Sequence, residues 1–322
     1  MKKRWLLSCP ELNTNSEQRI NELAITVSDW IDSEAFIQLI LLFGGSPSSA
    51  GSIKKRIEYY NDFADVWDYR KHTANGGERW LIAEDQFLSE HKSEIMECMF
   101  LLGLNDVTEP NKQPDYILPL GGARMANLDR CLGAHEVCQM YKGTPIPVVA
   151  LTGMRPINDI ERESLEKYAP AAKTEYEAIC CGIEKAFALP KGSYSESIYP
   201  DDNINLQWAE RVYDCDQRRI SVLSAPSSDP DRRANSMDTF KFFLKRYELK
   251  EGTKILLVTS PVYAPFQLMK FTDLALERGF YVDCIGNRSY GNSPTVLNAA
   301  SYLQELKATI NAIHALAEKY FR

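Results

Sequence analysis

The sequence predicts an α/β fold, a doubly wound and mostly parallel sheet of about five or six strands preceded by a helical N-terminal region. Three observations carry that expectation. Apolar residues recur at three- and four-residue steps over the first hundred positions. After Pro110 short apolar runs alternate with amphipathic stretches. Glycines, hydroxyls and arginines gather just behind those runs, where an open parallel sheet places its ligands.

In the first part, Ile20, Leu23, Val27, Trp30 and Ile31 define one helical face, and the apolar run 35–43 has the length of a core helix. A second periodic stretch covers 80–102. Glycine and proline interrupt the periodicity at 44–49 and 75–77, which read as loops. Residues 1–110 are therefore expected to form a helical cap or lid, and 111–322 the α/β ligand-binding domain. Within the latter, strands are expected at 116–120, 147–151, 220–223, 255–258 and 280–285. Helices are expected at 126–142, 174–189, 202–213, 233–247, 263–278 and 299–320. Thr174 and Glu177 have the spacing of a capping box. Glu161, Glu163 and Glu166 read as a solvated helical face.

Composition excludes several classes. A formal net charge of −7 argues against a broad surface for nucleic acid. The first apolar run stops at Pro10, too early for a secretory leader, and no run approaches the roughly 18 apolar residues of a membrane helix. The eight cysteines fall within helix- and strand-like segments, as free buried thiols of a reducing, cytoplasmic compartment do. They form no C-x-x-C pair, and His72, His91, His135 and His314 lack metal-ligand spacing, so no metal site is expected.

Four strand ends carry the chemistry. Behind the first strand come Gly121 and Gly122, which let backbone approach a ligand, and Arg124 and Arg130, which can grip a phosphate or carboxylate. Behind the second come Thr152, Gly153 and Arg155, then Glu175 at a helix start. Behind the third, Arg232, Arg233, Asn235 and Ser236 lead into a helix carrying Asp238; these are anion ligands, or local pairs of opposite charge. Behind the fourth stand Thr259, Ser260 and Tyr263, the last able to stack on a ring or to pack helix on sheet. Glu175 and Asp238 are the acid/base candidates. No nucleophile motif is present.

Taken in order, the Leu-Gly-Gly turn at 120–122, Thr152-Gly153, Thr174-Glu175 with Glu177-Ala178, Arg-Ala-Asn-Ser-x-Asp at 233–238 and Leu-Leu-Val-Thr-Ser at 256–260 resemble the YdcF/SanA/ElyC family. Ser236 keeps the hydroxyl of the family's threonine, whereas Tyr263 stands near the position of a common family histidine. The resemblance, over roughly residues 114–286, implies a Rossmann-like, nucleotide-utilising fold with S-adenosylmethionine or another nucleotide as ligand. The resulting expectation is a transferase or hydrolase acting on an anionic, nucleotide-like small molecule. The alternative is a non-catalytic metabolite sensor whose helical region signals to a partner. Neither reading involves nucleic acid or membrane, and a homodimer through the helical region is the expected assembly.

Overall fold

The computed structural model describes residues 3–12, 15–48, 51–72, 82–215, 218–289 and 297–321. The first helices begin where short polar side chains can take over orphaned amides. Asn15 and Gln18 form a capping box at the head of α1 (Ser16–Ile31), Ser33 caps α2 (Glu34–Leu42) and Ser52 caps α3 (Ile53–Phe63). Asp85 caps α4 (Gln86–Glu90), which breaks at His91 before α5 (Lys92–Leu101). The periodic stretch expected at 80–102 is thus two helices within its described part, and the loop expected at 75–77 lies outside the described residues. Among the described residues before Thr108 there is no strand.

The rest alternates strand and helix: β1 (Tyr116–Pro119), α6 (Ala126–Met140), β2 (Val148–Thr152), α7 (Asp159–Leu165), α8 (Glu175–Ala186), β3 (Tyr194–Tyr199), β4 (Trp208–Tyr213), β5 (Ile220–Ser224), α9 (Ser236–Arg246), β6 (Lys254–Thr259), α10 (Ala264–Arg278), β7 (Tyr281–Gly286) and α11 (Ala299–Tyr320). The fold is α/β. The strands form a seven-stranded sheet in the order β3-β4-β5-β2-β1-β6-β7. β5, β2, β1 and β6 pair in parallel, while β4 runs antiparallel to both β3 and β5.

The hairpin β3–β4 differs from expectation. The helix expected at 202–213 is instead a turn and then β4, whose Trp208, Val212 and Tyr213 favour a pleated surface. Ala209 and Tyr213 from one side of β4 join the core. β3 went unread because Ser195, Glu196 and Ser197 show no apolar alternation, and five of its six residues are exposed.

Contacts divide the chain into two compact units, one of Met1–Val107, Pro261–Val282 and Thr295–Arg322, the other of Thr108–Ser260 and Asp283–Pro294. In the first, α11 packs on α3 and α10. Trp30 sits against Phe36, which meets Tyr60 edge-on, while buried Arg19 donates to the carbonyls of Ala275 in the last turn of α10 and of Phe280 just beyond it. In the second unit, Ile117, Ala150, Val222 and Val258 turn one sheet face to Cys131 of α6 and Ile179 of α8. The alternate residues face α9, where Tyr116 meets Phe243 and Ser221 bonds Tyr247. No helix among the described residues is long and apolar enough to cross a membrane.

Candidate functional site

All four expected strand ends except Tyr263 fall within the second unit, which is where the site is built. Tyr263 ends a short 3-10 turn in the first unit. Leu120 bridges Leu151, and Thr152 stands in register with Ser224, so Gly121, Thr152 and Ser224 lie in one row at the rim of β1, β2 and β5. They share the sheet face of Ala150 and Val222, the face covered by α6 and α8.

Gly121 is required by close approach. A Cβ there would lie 2.7 Å from Glu175 Oε1, 2.9 Å from Thr152 Oγ1 and 3.0 Å from the Leu151 carbonyl. The Gly122 amide donates to Asn127 at 2.8 Å. Arg130 is buried and donates to the carbonyls of Leu120 and Gly121 and, at 3.2 Å, to Ser260 Oγ. It therefore clamps the end of β1 to that of β6. Arg124 sits in the left-handed region, φ 55°, with its carbonyl held by Tyr168 Oη at 2.9 Å.

Arg155 joins two carboxylates. Its Nε donates to Glu175 Oε2 at 2.9 Å, and its two terminal nitrogens each meet Glu161 at 2.7 Å. Glu161 is 1% exposed, so the solvated face expected for it is corrected, although Glu163 and Glu166 are exposed. Its burial follows from the sequence order Asn158-x-x-Glu161, a capping box that folds the carboxylate back over the start of α7 toward Arg155. Sequence reading missed this signal.

The two carboxylates are pushed in opposite directions. Burial opposes the charge on Glu161, but Arg155, the Asn158 amide and Arg124 together outweigh it and hold its carboxyl below the usual value. At Glu175 burial wins over Arg155 and Arg233, and its carboxyl is raised. Glu175 begins α8 behind the capping box of Thr174 and Glu177 that the sequence predicts.

Across the rim, Gly153 lies within 3.4 Å, measured from an added Cβ, of Ala234 in the loop before α9. Asn235 and Asp238 form the capping box of α9, and Asp238 also takes Arg232 at 2.5 Å. Burial raises the Asp238 carboxyl, but Arg232, the Asn235 amide and Ser228 hold it down to about 2. Of the two acid/base candidates, Asp238 is thus committed to local pairing and helix capping. Ser236 opens α9, and Arg233 is exposed beside it. Thr259 is buried at the end of β6. The structure therefore brings together Gly121, Thr152, Glu175 and Arg155, with Arg233 close enough to act on Glu175 electrostatically. Arg130 and Asp238 are built into the supporting frame. No group of three or more His, Cys, Asp or Glu suited to a metal ion occurs among the described residues.

Residues 14–103 match the family described as the Rv3785 N-terminal domain, which lies wholly within the first unit. The chain is similar along almost its whole length to uncharacterised proteins of Mycobacterium bovis and of two Mycobacterium tuberculosis strains. Each is 28% identical over 341 residues, covering 97% of this chain and 94% of the relative. No solved structure matches.

Proposed function

We propose that the second unit binds a small anionic molecule of nucleotide or adenosyl type at the rim of β1, β2 and β5, and transfers or hydrolyses a group on it. Glu175 is the proton donor and acceptor. The observation that carries this reading is the divergence of the two carboxylates on Arg155: Glu161 is kept charged, and Glu175 is raised toward the range where it can exchange a proton. Exposed Arg233, close enough to Glu175 to act on it electrostatically, draws an anion to the same place.

Strand order supports a Rossmann-like reading. Taken in chain order without the hairpin, β5-β2-β1-β6-β7 is 3-2-1-4-5, and the order switches between β1 and β6, a crevice that borders the β1 end of the proposed site. The motif resemblance to the YdcF/SanA/ElyC family points to the same ligand class. The locked state of Asp238 favours a second reading, a metabolite sensor in which the pocket binds without turnover.

Native mass spectrometry of gently purified protein, followed by a thermal-shift panel of adenosyl compounds, nucleotides and sugar phosphates, tests the reading. A ligand that stabilises the wild type, is lost in Arg233→Ala and Arg124→Ala, and is turned over by the wild type but not by Glu175→Gln is the expected result. Binding without product in either protein selects the sensor. No binding by any compound, with both arginine variants melting like the wild type, overturns the pocket.

A further inference from the structure

β3 forms one edge of the sheet, and among the described residues it has a strand partner on one side only. The register pairs Tyr194 with Tyr213, and one step earlier the Asp214 amide donates to the Ser193 carbonyl at 3.1 Å. In an antiparallel ladder, bonded and non-bonded pairs alternate. Ser195, Ser197 and Tyr199 therefore direct their backbone groups to β4, and Tyr194, Glu196 and Ile198 direct theirs outward.

Natural sheets blunt such an edge with lysine, proline, a bulge or an inward charge. Between 194 and 199 there is no lysine, arginine, proline or glycine, and the pairing with β4 is regular over all six residues. The one charge, Glu196, is drawn back onto its own subunit, where it accepts from Arg211 Nε and from Tyr176 Oη, each at 2.8 Å. Arg211 extends the network to Glu184 at 3.1 Å. Ile198 remains 55% exposed.

We propose that β3 is a self-association edge, at which two copies of this chain join their sheets through antiparallel β3 strands about a two-fold axis at Glu196. A second copy is the fitting occupant because the segment Tyr-Ser-Glu-Ser-Ile reads nearly the same in both directions about Glu196, as an isologous contact requires. Tyr194 of each copy then stands opposite Ile198 of the other, and Ser195 opposite Ser197. The outward residues pair 194 with 198, 196 with 196 and 198 with 194, every pair exchanging two backbone bonds. Exposed Ile198 gains an aromatic neighbour. The like charges that meet at the axis are each already held by an arginine.

Sedimentation velocity of the full-length protein across the micromolar range tests this. The expected result is a concentration-dependent dimer in the wild type that is lost in Ile198→Pro, which removes an outward amide, and in Ile198→Lys, which adds an edge charge. Circular dichroism checks folding, and if the proline variant unfolds, the lysine variant decides. Hydrogen exchange should show the amides of Tyr194, Glu196 and Ile198 protected at high concentration and released on dilution. A wild type that stays monomeric throughout, or a dimer unchanged in the folded variants, overturns the proposal.

Discussion

At Glu175 and Glu161, two chemically identical side chains on one arginine are given different tasks by their surroundings. Glu161 is surrounded by donors and stays ionised, whereas burial outweighs the donors at Glu175. The consequence for stability has opposite signs. A carboxyl raised on folding stabilises the native state below its unfolded value, and that contribution is lost as pH rises through the folded value. Glu175→Gln should therefore gain in melting temperature relative to wild type as pH is raised from about 4, near the unfolded carboxyl value, to neutrality. Glu161, whose carboxyl is lowered, contributes above the unfolded value and loses that contribution as pH falls. Glu161→Gln should accordingly be most costly near neutrality, with the penalty shrinking in acid. Melting curves of both variants at several pH values check the pair.

At the level of elements, the rim is held by contacts that join strand ends through helices. Arg130 of α6 satisfies two carbonyls behind β1 and a hydroxyl behind β6. Arg130→Met keeps much of the volume but leaves those carbonyls buried without that donor, at a cost of about 1–3 kcal/mol for each group stranded. Gly121→Ala forces a methyl against Glu175, Thr152 and a backbone carbonyl, and overpacking of that kind costs about 1–3 kcal/mol. Chemical denaturation reads both. The glycine turn itself was legible in the sequence, as was the capping box at Thr174, whereas Asn235, read as an anion ligand, turned out to cap α9 with Asp238. Those signals are local, because a cap needs only the residues of one helical turn. β3 was not legible, since an exposed edge strand carries little of the apolar alternation that marks a strand, and β4 was not because its buried residues do not fall at alternate positions.

At the scale of the whole molecule, sequence order and spatial grouping part company. Helices α10 and α11 belong with the first 107 residues, although they follow the α/β segment in the chain. α11 buries Leu303, Leu306, Ile310 and Ile313 and packs on α3 and α5. A fragment of residues 1–110 would leave those faces of α3 and α5 bare. It is expected to lack a cooperative thermal transition by circular dichroism, whereas the full chain retains one. A fragment melting as sharply as the intact protein would show that α10 and α11 are dispensable to that core. The same reasoning bears on the similarity at residues 14–103, which covers the N-terminal part of this unit but neither of its C-terminal helices.

The sequence by itself determined the α/β class, the position of the parallel strands, the span of α11 at 299–320 and the glycine-rich rim, because periodicity and turn chemistry are properties of neighbours along the chain. Only the tertiary structure decided the strand order, the edge occupied by β3, and the grouping of α10 and α11 with the N-terminal helices. It also decided that Arg155 is shared by Glu161 and Glu175 and that Asp238 is locked to Arg232. Those outcomes depend on distances between residues brought together by folding, and on how much water each charge loses when they meet.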